Sequence, residues 1–74
     1  MNADEVIAQI RAERVSRGIK QAVVAERMGV SASYVQAIEY RKGVDRRWNT
    51  VMAYAEAVGV IIHITVGDLE TGKQ

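Results

Sequence analysis

Ser33 and Gln36 lie three positions apart and carry a hydroxyl and an amide, the groups that hydrogen-bond the edges of nucleic-acid bases. They stand in a stretch with a marked charge balance. From Arg11 to Arg47 there are nine basic residues (Arg11, Arg14, Arg17, Lys20, Arg27, Arg41, Lys42, Arg46, Arg47) against the four acids Glu13, Glu26, Glu39 and Asp45, an excess of +5. The flanks hold Asp4, Glu5, Glu56, Asp68 and Glu70 against Lys73, so the formal net charge is only +1. A positive face of this kind attracts a polyanion such as DNA through counterion release, although charge by itself is equally the mark of a solvated surface.

Other chemistry is harder to assemble. There is no cysteine for a disulfide or thiolate metal site, and the single His63 does not make a zinc shell. No nucleophile and base pair, paired-carboxylate cleft or phosphate-cradling loop is present, so neither an enzyme nor a bound cofactor or metal is expected. The 74 residues, 49% apolar and 26% charged, suit one globular domain. The apolar run Gly59 to Ile62, even extended back to Ala57, is far short of the roughly 18 residues of a membrane span, and the acidic N-terminus lacks a signal peptide's basic flank. The reading is a cytoplasmic protein with no membrane partner.

The elements that must position Ser33 and Gln36 follow from periodicity. Asn2 with Glu5 forms a capping pattern, and Ala3, Val6, Ile7 and Ile10 recur at helical spacing, predicting a first helix from Ala3 to about Arg17. Continuing that face lands on Arg14, which then requires a partner on the buried side. Gly18 suits the left-handed position that ends a helix, with Ile19 tucking back. A second helix of about nine residues begins near Lys20, pairs Val24 with Met28 and stops at Gly29. Ser31 caps a third helix running to about Arg41, and two helices joined by so short a glycine-containing turn form a helix-turn-helix. Wound at about 100° per residue, the third helix turns Val35, Ile38 and Glu39 inward and Ala32, Ser33, Gln36, Ala37 and Tyr40 outward. An outer face that is small and polar fits close insertion against base edges. Gly43 ends this helix and Asp45 caps a fourth, whose apolar face is Trp48, Val51, Met52, Ala55 and Val58 and which closes at Gly59.

Beyond Gly59 the period changes to two, with Val60, Ile62, Ile64 and Val66 on one side and Ile61, His63 and Thr65 on the other. This pattern predicts a β-strand over 60–66. A lone strand leaves backbone groups unpaired, so the strand is expected to pair with a second copy and form a homodimer, with His63 a cross-strand neighbour. The expected organisation is a helix-turn-helix domain over 1–59, a dimerising strand over 60–66 and a polar flexible tail over 67–74.

The stretches Gly18-Ile19-Lys20-Gln21, Val24-Ala25-Glu26-Arg27-Met28-Gly29-Val30-Ser31, Tyr34-Val35 and Ile38-Glu39 resemble the Cro and phage-repressor type of helix-turn-helix proteins, over about residues 5–60. The resemblance implies a mainly α, four- to five-helix, lambda-repressor-like domain, here followed by the one pairing strand. It implies an ion pair between Arg14 and Glu39, a phosphate contact at Gln21, and base-reading positions at Ala32, Ser33, Gln36 and Ala37. Two alanines among the reading positions depart from strong bidentate readout and leave specificity to Ser33, Gln36, Tyr34 and DNA shape. The end of the chain, from Arg46-Arg47-Trp48-Asn49-Thr50-Val51 through Ala53-Tyr54-Ala55-Glu56-Ala57-Val58-Gly59 to the alternating segment, is similar to small Cro-like regulators and to antitoxins of host-inhibition-of-growth type.

The function so implied is a dimeric, sequence-specific transcriptional repressor of phage or mobile-element origin. It reads a palindromic operator in double-stranded DNA with helix 31–41 in the major groove, in a bacterial cell or its phage-infected counterpart. Arg17, Lys20 and Gln21 near the start of the second helix, and Arg41, Lys42, Arg46 and Arg47 beyond the third, are expected at phosphates. Tyr34 is either a further phosphate contact or a cover for the turn, and Trp48 is expected to be a core anchor. The alternative is an antitoxin that neutralises a toxin protein and represses its own operon.

Overall fold

The computed structural model describes residues 2–41 and 47–63, which form four helices: α1 (Ala3–Ser16), α2 (Gln21–Met28), α3 (Ala32–Tyr40) and α4 (Trp48–Val58). Their boundaries have local causes. The Asn2 side chain accepts from the Glu5 N–H and the Glu5 carboxylate accepts from the Asn2 N–H, both at 2.9 Å, so α1 opens on a capping box. It ends at Gly18, where the Gly18 N–H donates to Val15 and the Ile19 N–H to Arg14, the paired bonds of a Schellman motif. Ser31 accepts from the Tyr34 N–H at 3.1 Å and starts α3. Between α2 and α3 the chain reverses in three residues, Gly29 to Ser31, with Gly29 at φ +74, a conformation that a side chain would strain.

The helices pack around one core of Val6, Ile7, Ile10, Val24, Val35, Ile38, Val51, Tyr54 and Val58, together with the smaller Ala25, Ala55 and Ala57. α2 packs on α3 and α4, and α1 on α3 and α4, so α3 is held from behind by both α1 and α2.

Two sequence expectations change. Trp48 is 47% and Met52 49% exposed, so neither anchors the core. The buried stripe of α4 is Val51, Tyr54, Ala55, Ala57 and Val58. At helical winding, Trp48 and Met52 lie roughly 90° and 130° round from the centre of that stripe. The phase of α4 is thus set by Tyr54 rather than by the tryptophan. The N-cap of α4 is Arg47, with no side-chain cap bond. Asp45, assigned that role from the sequence, lies outside the described residues, as does Gly43.

No strand occurs among the described residues, and 60–63 follow α4 as irregular chain. Their side chains alternate: Val60 and Ile62 pack against the core, while Ile61 is 80% exposed and His63 is exposed. Ile64, Thr65, Val66 and the 67–74 tail lie outside the described residues.

Candidate nucleic-acid interface

One carboxylate orients α3. The Glu39 side chain is fully buried and receives donors from each of the other three helices. From α1, Arg14 Nε donates to Oε2 at 2.6 Å and an Arg14 terminal nitrogen to Oε1 at 3.0 Å, a bidentate pair. From α2, Gln21 Nε2 donates to Oε1 at 2.9 Å, and from α4 the Tyr54 hydroxyl donates to Oε2. The remaining Arg14 terminal nitrogen donates to the Ile19 carbonyl at 2.8 Å, tying the α1–α2 connection to the same cluster. An arginine on the apolar face of α1 is therefore satisfied from three directions. The pivot lies between Ile38 and Tyr40, so it sets the roll of α3 and hence the face that α3 presents.

Titration follows from this geometry. Burial pushes the Glu39 carboxyl up, but hydrogen bonds from Arg14, Tyr54 and Gln21 outweigh it and hold the group below its ordinary range. The Tyr54 phenol is pushed up, by burial first and then by the neighbouring Glu39 carboxylate. The Arg14 guanidinium is held charged, chiefly by its bonds to Glu39. A lowered folded carboxyl contributes stability that is complete above the ordinary Glu range near pH ~4.5 and is lost as pH falls through the folded value. A raised folded phenol contributes stability that is complete below pH ~10 and is lost as pH rises toward the folded value. Urea titrations are expected to show both limbs, and Tyr54→Phe to remove the alkaline one. An equal alkaline loss in that variant would show that Tyr54 is not its source.

The face opposite this cluster is bare. Ala32, Ser33, Gln36 and Tyr40 are exposed and Ala37 is half-buried, so the outer surface of the first two turns of α3 carries no charge. Tyr34 is half-buried and packs against the core, in a shallow hollow with Met28, Val30, Asn49, Thr50 and Ala53. This arrangement fits its role as a cover for the turn.

The basic residues divide into two groups. Arg14 is buried in the cluster. Arg17 Nε donates to Glu13 at 3.2 Å and its terminal nitrogen to the Gly59 carbonyl at 2.9 Å, while Arg27 donates to the Ala57 carbonyl at 2.8 Å. Arg17 and Arg27 thus close the C-terminal end of α4, where orphan carbonyls and the helix dipole favour cations. Arg17, expected at a phosphate, makes these two bonds while its side chain stays 45% exposed. Lys20, Arg41 and Arg47 are exposed around α2 and α3, and Lys42 and Arg46 lie outside the described residues. Gln21, expected at a phosphate, has its amide nitrogen on Glu39, which leaves one N–H of that group for another acceptor.

Sequence reasoning missed Tyr54 and Arg27. The phase of Tyr54 with Val51 and Val58 was available as a signal; the partner of its hydroxyl was not. Nothing local distinguishes Arg27 from a solvated arginine.

No helix among the described residues is long and apolar enough to cross a membrane, and no group of metal-ligating side chains occurs among them. Neither a curated protein nor a solved structure matches the chain. A family model described as a helix-turn-helix domain matches residues 7–61, the span from the first buried isoleucine through all four helices. With a three-residue turn between α2 and α3, and α3 held from behind with its polar face outward, this chain belongs to the helix-turn-helix family of DNA-binding proteins.

Proposed function

We propose that the protein is a dimeric, sequence-specific transcriptional repressor of Cro-like type that places α3 in the major groove of a palindromic operator. The observation that carries this reading is the division of the surface. The exposed face of α3 is small and uncharged, while Lys20 precedes α2 and Arg41 and Arg47 follow α3. A helix that approaches base edges needs the first property, and a scaffold that grips two phosphate strands needs the second. Ser33 and Gln36 supply hydrogen bonds to bases, Ala32 and Ala37 supply apolar contact to thymine methyls, and Lys20, Gln21, Arg41, Lys42, Arg46 and Arg47 fix the register on phosphates.

The second copy pairs along 60–66. The alternation of inward Val60 and Ile62 with outward Ile61 and His63 supports this, since an isoleucine 80% exposed beside a groove lined by Val6 and Ile10 is an apolar surface of the sort a partner covers. Two α3 helices would then enter successive grooves about 34 Å apart, and occupancy of the promoter would exclude polymerase.

Footprinting on the upstream DNA tests the proposal. Two protected half-sites roughly 10 base pairs apart are expected. Gln36→Ala is expected to weaken operator binding by about 1–3 kcal/mol without altering the salt slope. Equal affinity of wild type for operator and scrambled duplex would end the reading.

A further inference from the structure

Among the described residues, the arginines along α1 and its C-cap differ in how they are satisfied, and Arg11 is the outlier. Its guanidinium carbon sits 5.0 Å from the centroid of the Tyr40 ring, and its Nε is buried with no hydrogen-bond partner. Arg14 has Glu39 and Arg17 has Glu13, whereas Arg11 has no carboxylate partner among the described residues. A guanidinium held over an aromatic face keeps its planar orientation at low entropic cost, and an unpaired donor beneath it is a cost the free protein carries.

The buried Nε does not reach solvent, so any outside acceptor meets the terminal nitrogens, and the stack fixes where these lie. Tyr40 is the last residue of α3, four beyond Gln36 and seven beyond Ser33, so these three share one exposed stripe. A nine-residue helix is about 13 Å long and the major groove about 12 Å wide, so a helix whose first turn meets base edges brings its last turn to the groove rim, where the phosphates stand. We propose that Arg11, oriented by Tyr40, donates to a DNA phosphate at the C-terminal end of α3. Arg11 is then a backbone-contacting residue contributed by the first helix, and Tyr40 is its positioning residue. This inference rests on the DNA-binding reading above.

The test is a fluorescence-anisotropy titration of the full chain on operator and on scrambled duplex, between 50 and 200 mM salt. Arg11→Ala is expected to weaken both duplexes to a similar degree, by roughly 3- to 10-fold, and to shallow the log–log salt slope by about 2 for a dimer that loses one contact per protomer. Arg11→Lys, which keeps the charge, is expected to restore most of the slope. Tyr40→Leu changes an exposed site and leaves Arg11 in place but unoriented, so it is expected to weaken binding of both duplexes at an unchanged thermal midpoint. If Arg11→Ala does not fold, Tyr40→Leu decides, and wild-type affinity in that variant overturns the inference. A wild-type slope in folded Arg11→Ala overturns this inference alone, whereas salt-insensitive or absent binding by the wild type overturns the DNA-binding reading with it.

Discussion

Arg14→Ala is expected to leave the protein largely unfolded at physiological temperature. The substitution removes both donors of the bidentate pair and the bond to Ile19, while Glu39 stays in the core. Breaking a buried pair from one side costs about 3–5 kcal/mol, because the remaining charge has lost its compensation. At about 0.05–0.15 kcal/mol per residue, a 74-residue domain has roughly 4–11 kcal/mol in total. Each kcal/mol moves the midpoint of a domain this size by about 4–8 °C, so the Tm is expected to fall by tens of degrees. The combined variant Arg14→Met, Glu39→Leu, Tyr54→Phe is expected to recover most of the loss, since a buried pair exchanged for packed apolar groups is often neutral. Thermal melts followed by circular dichroism distinguish the two. An Arg14→Ala midpoint within a few degrees of wild type would mean that water reaches Glu39 and that the cluster does not set the position of α3.

DNA affinity is expected to fall steeply with salt, by something like 10³-fold between 50 and 200 mM, if the dimer neutralises about six phosphates. Arg14 is buried and Arg17 and Arg27 bond to the end of α4, so the slope is expected to come chiefly from Lys20, from Arg11 and from the basic residues beyond α3. Lys20→Ala, at the exposed N-cap of α2, is expected to shallow the slope by about 2 per dimer and to weaken operator and scrambled duplex alike. Arg17→Ala is expected to lower stability and leave the slope unchanged. The reverse pattern, with Arg17 carrying the slope, would show that its bond to Gly59 yields to a phosphate on binding.

Elements whose cause is local were legible in the sequence. The Asn2 and Ser31 caps, the stops at Gly18, Gly29 and Gly59 and the inward turn of Val35, Ile38 and Glu39 depend on residues within about one helical turn, and each stands in the structure as the pattern implies. Arg14 also showed itself as a charge on an apolar face, which required a buried acceptor wherever that acceptor came from.

What only the tertiary structure decided was which distant groups meet. Tyr54 enters the Glu39 cluster because α4 packs on α1 and α2, the two helices that also hold α3, and Trp48 lies outside the core because that same packing sets the phase of α4. Arg17 and Arg27 close α4 from 42 and 30 residues away, and Arg11 reaches Tyr40 across the α1–α3 contact. Helix periodicity says which side of a rod is apolar, but the partner of a polar side chain depends on how rods cross. Crossing is set by the packing of the whole core, to which every helix contributes at once.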